Sequence, residues 1–240
     1  MSAVYNGRMT KSPRYGFFDM YRGFALIIMA VYHFSFDLNS FGVIREDMNN
    51  NEFWLDFRAF IMTSFLALVG ISFAFAKTNY KNRGFLKRLG LLALCATIIS
   101  ISSYIMNPMT WIFFGVLHLI LVASLMSPLM VKAPRVCLAL GVPLVLLPNF
   151  YRDVWFLKPG LILSGLSPVK PWTEDFAPFA PWLGVILIGV SAGSVVKMKK
   201  PRWAELAPIP GLSFLRRHSL IFYMTHQLVL FPLAWIISKM

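Results

Sequence analysis

The chain has 240 residues, of which 58% are hydrophobic and only 14% charged, and a mean hydropathy of +0.65. That is too apolar for a soluble globular domain, and two cysteines in separate apolar runs exclude a disulfide framework or a cysteine metal site. The net charge of +13 would suggest nucleic acid only if its distribution did not explain it otherwise. In chain order, apolar runs predict membrane helices at roughly 16–38, 54–76, 86–106, 110–130, 134–150, 178–197 and 215–237. The fifth is short and interrupted by Pro143. Residues 151–177, rich in Pro, Gly and Trp, form the longest connection and have room for a re-entrant piece. The runs do not alternate, which excludes a β-barrel.

The expectation is therefore an all-α, polytopic transmembrane bundle of about seven spans, forming one domain over 1–240. The first fifteen residues are polar and basic, and no small-residue cleavage site follows, so the first span is expected to stay attached. With the N-terminus placed in the cytoplasm, sixteen of the 23 Lys+Arg fall in inner segments and five in outer ones. The positive-inside rule supports that orientation. It also accounts for the net charge through an anionic inner leaflet, with no nucleic acid.

The first span, "DMYRGFALIIMAVYHFSFD" from Asp19 to Asp37, carries four ionisable groups. At about 100° per residue, Asp19 and Asp37 share a face, and so do Arg22 and His33. Asp19 pairs with Arg22 at i, i+3, and His33 with Asp37 at i, i+4. All four form one stripe, with Leu26 and Ala30 between. A charge at mid-bilayer costs about 2.5–3.5 kcal/mol on insertion scales, so this stripe is expected to face the bundle. Arg22 lies near the inner surface and His33 about 16 Å further out, so the stripe is expected to line a path across the membrane. Asp37 one turn from His33 would fix the imidazole tautomer and raise its basicity. His118 lies in "FFGVLHLI". In "SLIFYMTHQ", Tyr223, His226 and Gln227 share one side of the last span. "APFAPWLGVILIG" opens the sixth span with Pro181, Trp182 and Gly184. An interfacial ion pair at Asp19 and Arg22 and a satisfied core histidine at His118 are the plain structural alternatives.

Four stretches, "RYGFFDMYRGFALIIMAVYHFSFDL", "FFGVLHLI", "DFAPFAPWLGVILIG" and "RRHSLIFYMTHQ", resemble the bacterial relatives of the heparan-alpha-glucosaminide N-acetyltransferase catalytic domain. The first is also similar to the Arg-x10-His signature of the acyltransferases that O-acetylate bacterial surface glycans; here that spacing runs from Arg22 to His33. The resemblance implies an integral enzyme of the bacterial cytoplasmic membrane. Such an enzyme moves an acetyl group from cytoplasmic acetyl-CoA to a hydroxyl or amine on the outer side, on a glycan or a small amine or alcohol. It implies His33 as catalytic residue and Arg22 on the donor side.

In chemical terms, His33 suits the removal of the acceptor's proton, with Asp37 supporting it. The expected donor-binding set is Asp19, Arg22, His118, Tyr223, His226, Gln227, Arg216 and Arg217. Within it, His118, Tyr223 or Gln227, or else Trp182, could donate to an oxyanion. Arg22, Arg216 and Arg217, with Lys87 and Arg88, could meet the phosphates of the donor. A covalent acyl-His33 remains an alternative to direct transfer. No metal is expected. The expected partners are acetyl-CoA, the outer acceptor, the bilayer and, as an assembly to consider, a homodimer. Two other classes compete: a haem-binding electron-transfer subunit ligated through His33, His118 and His226, and a proton-coupled transporter using the stripe.

Overall fold

The computed structural model describes residues 16–205 and 209–240. Arg8, Lys11 and Arg14 lie outside the described residues. Those residues form eight α-helices: α1 Gly16–Ser40, α2 Glu52–Phe75, α3 Arg83–Met106, α4 Val116–Met130, α5 Pro134–Phe150, α6 Phe179–Lys199, α7 Pro210–Arg217 and α8 Ser219–Ile237. No strand is present among the described residues. Helix starts follow local chemistry. Asn51 and Asn82 accept from the amides of Phe53 and Gly84, both at 2.9 Å, opening α2 and α3. Pro134 opens α5, where its missing N–H costs nothing.

Four helices, α2, α3, α6 and α8, are long and apolar enough to cross a membrane. Helices stand at all seven expected places, but α1 is interrupted by polar groups, and α4 and α5 have only 15 and 17 residues. Two expectations change. Pro143 does not break α5, which continues through it and Pro148. The fourth helix begins at Val116, not near 110. Residues before it are not helical and pair with the connection to α6: Glu174 N–H donates to Thr110 O at 3.0 Å, and Ala177 N–H to Phe114 O at 3.1 Å. The long connection itself holds two single turns of 3-10 helix, Val154–Leu157 and Leu161–Ser164.

The centre is α6, packed on α2 and α5. Small residues permit the approach. A Cβ on Gly189 would lie 2.5 Å from the Ala67 carbonyl oxygen, and one on Gly193 2.8 Å from that of Ile71. The rims differ. Half of the apolar stretch of α6 is buried, but only 22% of that of α3 and 6% of that of α8. Leu94, Ile98, Ile101 and Ile105 on α3 and Leu228 and Val229 on α8 are exposed. A bundle showing such faces is an integral membrane protein, its rim matched by hydrocarbon.

Candidate active site

At its first turns α1 meets α2 and α7. Arg22 donates through Nη2 to the Ser72 hydroxyl and, at 3.5 Å, to the Leu68 carbonyl oxygen. Ser72 in turn donates to that carbonyl at 2.5 Å. Asp19 is half-buried on the same turn. One residue beyond Arg22, Gly23 lets α7 approach: a Cβ there would lie 2.8 Å from the Leu212 carbonyl oxygen. This places the α7 helix that carries Arg217, which is exposed, at the Arg22 end of α1. The side chain of Arg216 lies outside the described residues.

The middle of the stripe corrects an expectation. Leu26 is fully buried and Met29 nearly so. They pack with Tyr32, Met48 and Ile61, and against Leu215, Phe222 and Tyr223. Leu26 and Met29 lie four and seven residues past Arg22, on its face of the helix. The stripe is thus two polar stations with a dry interval between them, not a continuous polar path. Leucine and methionine in a tight aromatic surround fill the space that a hydrated seam would need.

The second station, toward the C-terminal end of α1, joins α1 to α8. The rings of His33 and His226 lie 5.0 Å apart between centroids. Gln227 Nε2 donates to Asp37 Oδ1 at 3.3 Å, and Asp37 is 3% exposed. The expected His33–Asp37 hydrogen bond is replaced by this one: α8 brings an amide to the carboxylate, and Oδ2 has no partner. His226 Nε2 and Gln227 Oε1 are likewise buried without partners. Three orphaned polar atoms in one place are costly unless a polar ligand or water meets them. Tyr223, one turn before Gln227, contacts His226 with ring centroids 6.0 Å apart.

His118 does not join this group by hydrogen bonding. Its Nδ1 accepts from Gly115 N–H at 3.2 Å, and its Nε2 meets Ser100 Oγ at 3.1 Å. Because an amide N–H can only donate, Nε2 carries the ring hydrogen and donates to Ser100, whose own hydrogen goes to the Ile112 carbonyl oxygen at 2.6 Å. One nitrogen is committed to the start of α4 and the other to Ser100 of α3, which removes His118 as an oxyanion donor. Trp182 is half-buried against the main apolar core.

A residue absent from the expected set is Asp175. Its Oδ2 accepts from Val116 N–H at 2.8 Å, capping α4. Gly115 makes room, since a Cβ there would lie 2.7 Å from Asp175 Cγ. Burial pushes the Asp175 carboxyl above the usual carboxylate range, against the opposing effects of the Val116 hydrogen bond and the Lys170 charge. Nearby, burial and the Arg58 charge lower the Lys170 ammonium, while Asp175 and Glu174 offset them. An acidic residue heading "DFAPFAPW" was the only signal in the sequence for its role.

Among the described residues no group of three His, Cys, Asp or Glu could hold a metal ion. Cys95 and Cys137 are separate buried thiols. No curated protein and no solved structure matches the chain. The family of the heparan-alpha-glucosaminide N-acetyltransferase catalytic domain matches residues 14–228, a span that begins before α1 and ends just past Gln227. With the match taking in both stations of α1, the cap at Asp175 and the α8 cluster, the chain belongs to that family of membrane acetyltransferases.

Proposed function

We propose that the protein carries an acetyl group from cytoplasmic acetyl-CoA to an amine or hydroxyl on the outer side of a bacterial cytoplasmic membrane, with seven membrane helices and its N-terminus inside. Three findings support this reading. The family is one of acetyltransferases. The basic residues cluster at alternate connections and the helix ends beside them: Lys77 and Lys81 with Arg83, Lys87 and Arg88 at the start of α3, and Lys200 and Arg202 with Lys197 and Lys199 at the end of α6. The observation that carries most weight is the set of buried, unpartnered polar atoms at Asp37, His226 and Gln227 beside His33.

Acetyl-CoA would supply an acetyl carbon activated as a thioester. Arg22, fixed by α2, and Arg217 on α7 supply positive charge at the inner station, where phosphates would sit. Its long, thin arm suits a narrow seam, and Leu26 and Met29 must move aside for the acyl group to reach His33. There the imidazole of His33 stands at the acyl carbon, either assisting direct attack or accepting the group covalently. Asp37 Oδ2 and Gln227 Oε1 are acceptors only, apt to hold N–H or O–H groups of the acceptor molecule. The outer acceptor is a glycan or a small amine or alcohol. The haem alternative loses one of its three histidines, since both nitrogens of His118 are engaged.

Calorimetry on the purified chain in lipid nanodiscs, comparing acetyl-CoA with free CoA and a panel of small solutes, tests the donor. Saturable binding of acetyl-CoA, with label passing to an amine or sugar, is expected. Binding of a small solute without acetyl-CoA binding would end the reading.

A further inference from the structure

The two histidines outside α1 spend their nitrogens differently. Both nitrogens of His118 are engaged by the fold. In His226, Nδ1 lies 2.8 Å from the Tyr223 carbonyl oxygen. A carbonyl oxygen can only accept, so Nδ1 carries the ring hydrogen and Nε2 of the neutral ring keeps a free lone pair. That Nε2 is buried and has no hydrogen-bond partner. The ring stacks on Phe222, with planes 12° apart, which holds its orientation. His33 is its neighbour at 5.0 Å, and the unpartnered oxygens of Asp37 and Gln227 belong to the same α1–α8 junction.

We propose that His226 is a second catalytic residue, whose Nε2 takes the proton of the acceptor's N–H or O–H as that group attacks the acetyl carbonyl carbon beside His33. The inference rests on the acetyltransferase reading and divides the labour that the sequence assigned to His33 alone. The bond formed joins the acceptor nitrogen or oxygen to the carbonyl carbon. The bond broken is carbon–sulfur, and its electron pair leaves on sulfur. The proton on Nε2 then passes to that thiolate, giving free thiol and a neutral ring, so no further reactant is consumed. The Tyr223 carbonyl contributes twice. It sets the tautomer, and its hydrogen bond strengthens as the ring becomes an imidazolium, so the stabilisation grows toward the transition state. His33 is left to act at the acyl group itself.

The test uses the full chain in lipid nanodiscs, acetyl-CoA as donor, and glucosamine and other primary amines as probe acceptors. In His226→Asn the side-chain amide can still donate to the Tyr223 carbonyl, yet no base remains. We expect kcat to fall about 10²–10⁴-fold, while KM for acetyl-CoA stays within about threefold. His226→Gly should regain activity when imidazole is added. Independently of turnover, nitrogen-15 spectra of histidine-labelled protein, with His226 assigned by its loss in His226→Asn, should show Nδ1 protonated and Nε2 bare. Wild-type kcat in His226→Asn, or a proton on Nε2 in the neutral ring, would overturn the proposal. Failure of the acetyltransferase reading looks different: wild type and variants alike leave acetyl-CoA intact despite the expected tautomer, and both inferences then fall together.

Discussion

Replacing Gly115 by alanine adds one carbon where the structure has no room for it. The new Cβ would lie 2.7 Å from Asp175 Cγ and 3.0 Å from Ile112 Cγ2. The accepting oxygen Oδ2 lies closer to the new carbon than Cγ does, and ordinary carbon contacts begin near 3.5 Å, so the carboxyl must retreat by at least roughly 0.8 Å. Its hydrogen bond to Val116 N–H, now 2.8 Å, then lengthens to about 3.6 Å or more, beyond useful geometry. Loss of a helix N-cap costs about 0.5–2 kcal/mol, and crowding a packed site about 1–3 kcal/mol. A destabilisation of about 2–4 kcal/mol is expected, with the apparent melting temperature falling about 2–4 °C for each kcal/mol in a chain of this size. The control is Gly90→Ala on α3, where nothing lies within 4 Å of the new carbon. That change should be neutral or stabilising by up to about 1 kcal/mol. Melting in detergent, followed by loss of the monodisperse chromatographic peak, compares the two. Equal melting of Gly115→Ala and wild type would show that Asp175 does not sit against Gly115, and the cap at α4 would be wrong.

His33→Ala should abolish transfer from acetyl-CoA with expression and monodispersity intact, and an active variant removes His33 from the chemistry; Asp37→Asn should be slow but not dead in the same assay. Arg22→Lys keeps a charge but loses the planar guanidinium whose Nη2 reaches Ser72 and Leu68, so KM for acetyl-CoA should rise about tenfold, one hydrogen bond's worth; an unchanged KM places the donor elsewhere. Asp175 holds its proton more tightly folded than unfolded, so its contribution to stability is present at low pH and is lost as pH rises through the raised folded value. Asp175→Asn, which keeps an oxygen for Val116, should then melt at or above wild type at neutral pH, and the gap should close in acid; a lower melting temperature at neutral pH would contradict this. For orientation, a membrane-impermeant thiol reagent applied to intact cells stripped of their outer membrane should label Lys158→Cys at once and Lys81→Cys only after permeabilisation, and the reverse pattern would invert the topology.

Helix positions were legible because apolar run length is a local property. The start of α4 was not. Trp111, Ile112 and Phe113 continue an apolar run, but their neighbourhood is tied outside a helix, by Glu174, Thr173 and Ala177 some sixty positions later and by Ser100 and Ser103 of α3. The face shared by Arg22, His33 and Asp37 could be read from helical period alone. What lies beside each could not, because Ser72, His226 and Gln227 come from other helices, and Gln227 is 190 residues from Asp37. The plug of Leu26 and Met29 is hidden from the sequence for the opposite reason. Both residues were visible, but only packing with Tyr32, Ile61 and the α7–α8 side chains shows that they close the stripe. Which nitrogen of His226 carries a hydrogen depends on one backbone carbonyl, and no side-chain pattern encodes it.

The tight contact of Leu26 and Met29 has a meaning for the cell as well as for the site. An enzyme with chemistry near one surface and its donor entering at the other risks becoming a leak. Each elementary charge crossing a 100 mV potential releases about 2.3 kcal/mol that the cell would otherwise use. In the proposed orientation, two apolar side chains, one fully hidden and one nearly so, would interrupt a proton wire between Arg22 and His33 and so spare the ionic gradient between turnovers.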